Sequence, residues 1–435
     1  MFIAISKKFV RPNSVDTNVE ATNFRHLYWD VVWYGLLFGS TLSFLTVYTA
    51  RLGATAWQIG LLTAGPALMN IVWALSTGRW LANRKLGSAV TRAAILHRLG
   101  YLLLIPLPLL FNAPLKIWTI LAMVIAMGIP GTALAVGFNA VLAATVSVSK
   151  RGRVVGWRNA LLAGSTVISF LLSGWLLEQL PFTWGYVVVF GLGALGAGMS
   201  TFHLSRIQVA DDPVYKMHAI ADRAQPGRIV GFNGAAPQRR SIGLRLWLKW
   251  RPGLNTISLQ FRLALFAFFL FHFSQMLPAA LFPLFWVNEL HLDDGVIGWV
   301  NALFYLAMLV TSPFLGVLTN KFGNYRLTGA GAILLALYPL LTALSWSLPL
   351  LIAANLLGGM VWAFLSGTFV NRLLELTPDD SRPSHLALYN ISLNVATLTG
   401  TMLGPLLSDM VGLREALFIV FAMRLLSGLA LFRWG

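Results

Sequence analysis

The sequence predicts an all-α integral membrane protein in which twelve transmembrane helices form two pseudo-symmetric six-helix bundles. Of its 435 residues, 57% are hydrophobic and 11% are charged, and the mean hydropathy is +0.72. One soluble core could not bury that much apolar surface. The apolar stretches are continuous over about 20 residues, which is the helix length that crosses about 30 Å of hydrocarbon. Membrane β-strands would instead alternate over about 10 residues.

The first half contains six apolar runs. Residues 1–26 form a polar tail, expected in the cytoplasm, whose apolar start is too short for a cleavable signal peptide. Residues 27–205 form the first predicted bundle. Its runs occupy about 31–50, 59–77, 93–111, 117–144, 160–177 and 184–202.

A polar segment, residues 206–258, separates the halves and has the Pro- and Gly-containing composition of a cytoplasmic loop. Within it, residues 244–251 interleave bases with Leu and Trp, which fits either an interfacial segment or the basic flank of the seventh helix. Residues 259–435 form the second predicted bundle. Its runs occupy about 263–286, 296–318, 327–346, 348–370, 386–407 and 416–432.

The basic residues predict the orientation of the helices. The formal net charge is +17. With the N-terminus in the cytoplasm, most Lys and Arg fall on the cytoplasmic side, and the other side receives only Arg51, Lys116 and Arg414. This is the positive-inside pattern, which explains the charge without nucleic acid. We therefore expect a multi-pass protein of the bacterial plasma (inner) membrane with both termini in the cytoplasm.

Two short motifs recur in the two halves. The segment Gly78-Arg-Trp-Leu-Ala-Asn-Arg-Lys-Leu-Gly follows the second predicted helix, and Gly316-Val-Leu-Thr-Asn-Lys-Phe-Gly follows the eighth. After the fourth and tenth helices, an arginine, Arg151 or Arg382, stands eight residues before an asparagine. Structural repeats of this kind are typical of transporter folds.

These motifs resemble those of the major facilitator superfamily, whose topology matches essentially the whole chain. The family's loop signature is similar to Gly-x-Leu-Ala-Asp-Arg-x-Gly-Arg-Arg, but asparagine replaces the aspartate here, at Asn83 and Asn320. The resemblance implies a cytoplasmic gate, and its latch would depend on amide hydrogen bonds, which are weaker than charge-assisted ones. The implied gate-loop residues are Gly78, Asn83, Arg84, Gly316, Asn320, Lys321, Gly323, Arg326, Arg151 and Arg382.

The family's antiporter signature, which has a Gly-Pro pair in the fifth helix, is missing between Ala160 and Leu177. This argues against drug/proton antiport. A similar run, from Gly400 through Gly404 to Pro405, occurs in the eleventh helix. It is interpreted either as a site of close helix contact and bending or as a coupling element.

His272 is the best-placed candidate for a proton carrier. It lies about ten residues into the seventh predicted helix, hence about 15 Å deep. Imidazole titrates near neutrality, so it could load and release protons. The alternative is a hydrogen bond to a neighbouring helix. Gln275 shares its helix face, and the pair could contact a polar substrate.

Three other charged residues fall within or beside apolar runs. Asp30 is the second coupling candidate, although the long run after it favours a wetted acid at the start of the first helix. Arg98 is expected to snorkel to the cytoplasmic surface. Arg424 falls in the middle of the last run, where a bent helix end or a deep snorkel is preferred to an anion site.

Uncharged polar residues complete the candidate set. Amides that face lipid are disfavoured, so we expect them in the bundle interior. The resemblance implies a cavity lined by helices one, two, four, five and their counterparts, and a helix-packing hydrogen bond is an equal alternative for each residue. Their chemistry suggests a neutral or mildly polar small-molecule substrate. The candidates are Asn70, Asn139, Asn301, Tyr305 and Asn394.

Enzymatic motifs are missing from the sequence. We find no phosphate-binding loop, zinc-binding motif or nucleophile elbow, and the chain has no cysteine, so we expect no enzyme, metal site or cofactor. The prediction is a secondary active transporter that works by alternating access, with protons as one candidate coupling ion. The alternative is a non-transporting membrane protein that uses the fold for binding or assembly, for example with pigment or a membrane complex. A monomer is compatible with either.

Overall fold

The computed structural model describes residues 17–82, 84–209, 258–377 and 382–435. Within these ranges every regular element is a helix, and ten stretches are long and apolar enough to cross a membrane. One of these ten stretches, Asp294–Ala343, is 50 residues long and contains two helices. The 27-residue helix Ala56–Ala82 is not among the ten stretches and is counted in addition to them. The described residues thus form twelve long helices, and the predicted all-α membrane fold is confirmed.

The first half contains helices α1 to α6. α1 runs over Thr17–Leu37 and Ser43–Arg51, with a π-helical turn at Phe38–Leu42 between the two parts. It therefore begins inside the predicted tail. The next five are α2 (Ala56–Ala82), α3 (Leu86–Leu104), α4 (Ala113–Thr145), α5 (Val148–Gln179) and α6 (Phe182–Ser205).

The second half contains helices α7 to α12. α7 is interrupted and runs over Leu259–Met276, Leu277–Ala279, Leu281–Leu284 and Phe285–Glu289. α8 covers 294–322 and α9 covers 324–343, and they are separated at Gly323, whose φ of 77° favours glycine. The last three are α10 (Leu348–Glu375), α11 (Arg382–Val411) and α12 (Leu413–Trp434).

The helices of the two halves pack in the same arrangement. In the first half, α1 contacts α5 and α6, α3 contacts α4 and α6, and α4 contacts α2. In the second half, α7 contacts α11 and α12, α9 contacts α10 and α12, and α10 contacts α8. Contact between the halves runs mainly through α2 against α11 and α5 against α8. The internal repeat seen in the sequence is therefore a repeat of structure.

Apolar burial differs between the two ends of the molecule. At one end a single core spans both halves and includes Phe170, Phe285 and Val300. At the other end, where α1 begins and α12 ends, each half has a core of its own, one around Val90 and one around Phe268. The halves are thus joined at what we call the closed end and separate at the open end.

Candidate functional site

Glycines bring the two halves together at two equivalent crossings. A Cβ on Gly60 of α2 would lie 2.6 Å from Pro405 Cγ on α11. A Cβ on Gly298 of α8 would lie 2.8 Å from the Phe170 carbonyl and 2.9 Å from Gly174 Cα on α5. Both crossings leave no room for a side chain, so the helices of opposite halves touch through their backbones.

Three polar side chains form a latch at the closed end. Arg51, the last residue of α1, contacts Asp294, the first residue of α8, with Nη2 and Oδ1 3.0 Å apart. Tyr186 of α6 donates a hydrogen bond to the other carboxylate oxygen of Asp294 at 2.7 Å. Arg51 also donates to the Leu292 carbonyl. This Arg51–Asp294–Tyr186 latch ties the first half to the second.

Aromatic side chains lie between the latch and the open end. Tyr305 of α8 packs against Phe38 of α1 and Phe170 of α5, with ring centroids 5.7 Å away in both pairs. A pocket of about 170 Å³ lies on the latch side of these rings, with Asn301 and Trp286 in its lining. Asn301 and Tyr305, both predicted site residues, thus stand at the junction between the halves.

A larger cleft lies on the other side of the aromatic rings, toward the open end. It has a volume of about 490 Å³ and is bounded by α5, α8 and α10. The lining is mostly apolar, and its polar side chains are those of Asn159, Ser312, Trp362 and Ser366. No Asp, Glu, Lys or Arg belongs to this lining, so the cleft is suited to an uncharged solute.

His272 bridges two helices of the second half. Its Nε2 lies 2.9 Å from the hydroxyl of Tyr389, so α7 is hydrogen-bonded to α11. Phe369 of α10 packs against the imidazole with centroids 5.0 Å apart. This is the helix-packing hydrogen bond that the sequence left open as an alternative. Gln275 has a buried side-chain oxygen with no hydrogen-bond partner among the described residues.

Asp30 lies in a buried ion cluster, and the expectation of a wetted acid at a helix start is wrong. α1 begins at Thr17, so Asp30 lies within the body of the helix and is 4% exposed. Its carboxylate is 3.3 Å from Arg158 Nη2 and 3.9 Å from Arg98 Nη2. Ser200 also donates a hydrogen bond to it. The expected snorkelling of Arg98 is therefore wrong as well, because Asp30 provides an inward counter-ion.

Arg424 is buried inside the second half, and the preferred interpretation as a bent helix end or deep snorkel is wrong. Its side chain is 2% exposed and donates to the carbonyls of Ser274 and Gln275 at 3.3 and 3.2 Å. Pro278 has no amide hydrogen, so the Ser274 carbonyl loses its usual helical donor. Arg424 of α12 replaces that donor at the break in α7.

The remaining predicted amides lie in different places. Asn70 of α2 accepts a hydrogen bond from Thr132 of α4 at 2.7 Å, inside the first half. Asn394 of α11 donates to a carbonyl of its own helix at 2.8 Å, as does Asn301. Asn139 of α4 is exposed. The structure therefore does not gather the amides into one site.

The gate-loop residues lie at the open end. Asn83 lies outside the described residues, as do the side chains of Arg151 and Arg382. Arg84 is exposed, with its guanidinium 5.1 Å from the Trp80 ring centroid. A Cβ on Gly78 or Gly316 would meet no atom within 4 Å, and Gly323 makes the break between α8 and α9. The side chains of the second loop are exposed, namely those of Asn320, Lys321 and Arg326.

Gly400 and Gly404 allow α11 to approach α7. A Cβ on Gly400 would lie 2.7 Å from the Phe273 carbonyl, and one on Gly404 would overlap the Leu277 carbonyl. The interpretation of this run as a site of close helix contact therefore agrees with the structure. Pro405, next in the chain, contacts Gly60 at the crossing between the halves.

Neither the latch nor the cluster of Asp30 with Arg98 and Arg158 is predicted from the sequence. The sequence predicts Arg51 only as a charge of the non-cytoplasmic side, and Tyr186 carries no signal at all. Opposite charges at the ends of α1 and α8, which face the same side of the membrane, were the one available indication of the latch.

The C-terminal 172 residues, 264–435, match the family model of the Major Facilitator Superfamily. Multidrug resistance protein 1 of Bacillus subtilis (strain 168) is 24% identical over 143 residues, which are 33% of this chain and 36% of the relative. Multidrug resistance protein 2 of the same strain is 22% identical over 138 residues, which are 32% of this chain and 34% of that relative. The chain therefore matches about a third of the length of these relatives.

Solved transporter structures are similar over nearly the whole chain. The D-xylose-proton symporter has a TM-score of 0.69 at 14% identity, covering 95% of this chain and 97% of that one. The nucleoside transporter NupG has a TM-score of 0.67 at 12% identity, covering 95% and 99%. A bacterial homologue of the iron transporter ferroportin, in its inward-facing state, has a TM-score of 0.66 at 14% identity, covering 96% of this chain and 98% of that one. These likenesses establish the fold along the chain.

Proposed function

Because this chain belongs to the major facilitator superfamily, with no subfamily identified, we propose that it is a secondary transporter that moves a small solute by alternating access. The observation that carries the proposal is the unequal joining of the halves. One core spans them at the closed end, whereas each has its own core at the open end. Two rigid bundles that meet at one end can rock about the region between them.

The open end is the cytoplasmic end in this proposal. The positive-inside pattern supports a cytoplasmic location for both termini, the 1–26 tail and the 206–258 loop. The described arrangement is then inward-facing, and solute enters or leaves through the cleft between α5, α8 and α10. The matched Bacillus proteins favour the bacterial inner membrane as the location. In the outward-facing state the latch between Arg51 and Asp294 must separate.

The proposed cargo is neutral or mildly polar. The cleft lining carries no formal charge, and a charged solute would lose its hydration there without gaining a partner. NupG and the xylose symporter share only the fold with this chain, and the Bacillus relatives are named for multidrug resistance, so the lining of the cleft is what supports this class of cargo. These similarities to transporters do not favour the alternatives of an enzyme or an assembly protein.

Proton coupling is proposed at His272, with Asp30 as the second candidate. The imidazole of His272 lies near the middle of α7 and is hydrogen-bonded to Tyr389 of α11. Gain or loss of its proton would change that bond between two packed helices of the second half. Asp30 is held by two arginines, so a change in its charge would alter the contacts of α1 with α3 and α5.

Flux through reconstituted liposomes tests the proposal. We expect exchange of labelled pentoses, nucleosides or an uncharged lipophilic dye in liposomes with the protein and none in empty liposomes. The chain has no cysteine, so the pair Arg51→Cys and Asp294→Cys can be joined by a bifunctional thiol-reactive cross-linker whose linkage is reducible. Cross-linking should stop flux and reduction should restore it. Flux that continues through the cross-linked protein would rule out alternating access.

A further inference from the structure

A second cavity is lined entirely by residues of the first half, and it shares no lining residue with the cleft between α5, α8 and α10. We call it the intrabundle pocket. Its volume is about 300 Å³, and α1, α2, α3 and α4 bound it. Its walls are largely apolar and include Leu42, Pro66 and Met127. No Asp, Glu, Lys or Arg belongs to the lining. The volume is at the lower limit of small-molecule sites, which are typically about 300–1,000 Å³ with a few polar groups in an apolar wall.

Polar side chains of α2, α3 and α4 form hydrogen bonds in the lining of this intrabundle pocket. Thr132 donates to the Asn70 side-chain oxygen at 2.7 Å, so the amide nitrogen of Asn70 remains a donor for a ligand. The other side of the pocket holds His97, whose Nδ1 lies 2.9 Å from the Met127 carbonyl. A carbonyl only accepts, so Nδ1 carries the proton and Nε2 accepts from the Tyr101 hydroxyl at 3.3 Å.

An aromatic side chain stands in the second half at the position equivalent to Pro66. Pro66 stands six residues after the crossing glycine Gly60, and Phe304 stands six residues after the equivalent Gly298. The Phe304 ring packs 6.0 Å from that of Tyr338, centroid to centroid, and meets Gly358. The two halves therefore differ in side chain at this position although their helix arrangement is repeated.

We propose that the intrabundle pocket binds an uncharged molecule with an apolar body and an adjacent donor and acceptor, as in a carboxamide or lactam. The amide of Asn70 has one donor side and one acceptor side, so it is complementary to a ligand amide. The apolar walls accept the body of the ligand. A carboxylate or an amidinium would enter without a counter-charge and is excluded by the cost of its desolvation.

Three benzene derivatives of the same shape test this proposal by charge alone. Benzamide is neutral, benzoate is an anion and benzamidinium is a cation. We expect benzamide to raise the Tm of the purified full-length protein in detergent, with a rise that keeps growing with the logarithm of ligand concentration above Kd, as mass action requires. Benzoate and benzamidinium should leave the Tm unchanged.

Two variants locate the effect in the pocket. Ala135→Leu fills the lining without removing a hydrogen-bonding group, and Asn70→Leu removes the amide at similar size. Both should abolish the benzamide-dependent rise, measured against the Tm of each variant without ligand. The matched control, Ala126→Leu, is on the same helix and is exposed as Ala135 is, but it lies outside the lining and should retain the full rise.

Other outcomes overturn the proposal. They are no rise with benzamide at its solubility limit, an equal rise with all three compounds, or a rise that survives in Ala135→Leu. Binding is measured without flux, so the inference does not depend on the proposed transport. A negative result for binding in the intrabundle pocket would not contradict the proposed transport, and a negative result for transport would not contradict binding.

Discussion

Asp30 shares its carboxylate between two arginines that come from different helices. Arg158 lies on α5 and Arg98 on α3, and both side chains are mostly buried. Arg158 also donates to the Leu27 carbonyl at 3.0 Å and lies over the Phe138 ring. Removal of one partner from a buried ion pair costs about 3–5 kcal/mol because the other charge stays desolvated. The cluster therefore holds α1, α3 and α5 together.

The substitution Asp30→Asn should destabilise the protein by about 3–5 kcal/mol because it leaves two buried guanidinium groups without a counter-charge. Thermal unfolding in detergent measures the change. The control is Glu20→Gln, which breaks a pair with the more exposed Lys150 and should cost at most about 1 kcal/mol. Equal Tm values for the two variants would contradict a structural role for the cluster.

A substitution of His272 tests proton coupling separately from solute transport itself. We expect His272→Ala to abolish flux driven by a pH gradient while solute exchange without a gradient continues, because only the first process needs a proton carrier. Tyr389→Phe removes the hydrogen bond and keeps the imidazole, so it should retain gradient-driven flux. Full gradient-driven flux in His272→Ala would refute the assignment. Equal loss of both processes in both variants would show that the hydrogen bond serves only structure.

At the scale of helices, the crossings between the halves depend on glycine. Gly174 and Gly298 face each other where α5 meets α8, and a Cβ on Gly174 would lie 3.3 Å from Gly298 Cα. Gly60 faces Thr401 and Pro405 where α2 meets α11. Small residues let helix backbones approach, which is how helices associate in a membrane. These are the places where the bundles can turn against each other with little side-chain rearrangement.

The substitution Gly298→Val should separate α5 from α8 and destabilise the closed end by about 1–3 kcal/mol, as overpacking does. A lower Tm and a loss of flux are expected. The matched control is Gly198→Val on α6, where a Cβ would meet no atom within 4 Å. If both variants behave like the wild type, the crossing does not need glycine and the contact between α5 and α8 is looser than described.

For the molecule as a whole, we propose that the latch decides which end is open. Along α8 the order is Asp294 at the latch, Asn301 in the small pocket, Tyr305 among the aromatic rings and Met308 in the cleft. A solute in the cleft is thus separated from the closed end by the aromatic rings and then by the latch. Weaker latch contacts should shift the population toward the outward-facing state.

The substitution Asp294→Asn should increase access from outside because it removes the charge that Arg51 contacts. The reporter is Val47→Cys, introduced into the cysteine-free chain at a 2% exposed position of the small pocket. We expect a membrane-impermeant thiol reagent, added outside, to label it faster when Asp294→Asn is present. Asp293→Asn alters an exposed neighbouring acid and should leave the rate unchanged. No acceleration in Asp294→Asn would mean that the latch does not hold the closed end.

The sequence by itself determined the fold class, the twelve helices and the repeat of the two halves. Lipid imposes these features locally, because each segment must be about 20 apolar residues long and must satisfy its own backbone. The sequence could not predict which groups the buried charged side chains contact. Asp30, Arg98 and Arg158 lie far apart in the chain, and Arg424 could be explained only by the carbonyl that Pro278 frees on another helix.

Only the tertiary structure decided which end is closed, where the cavities lie and which polar residues share one. Those features arise where helices distant in sequence meet, and helical periodicity gives the face of a residue but not the neighbour of that face. Asn70 and Asn301 are chemically alike, yet one lines a pocket within a bundle and the other lies between bundles. The physical reason is that side-chain burial is a property of the assembled helices, whereas membrane insertion is a property of each segment.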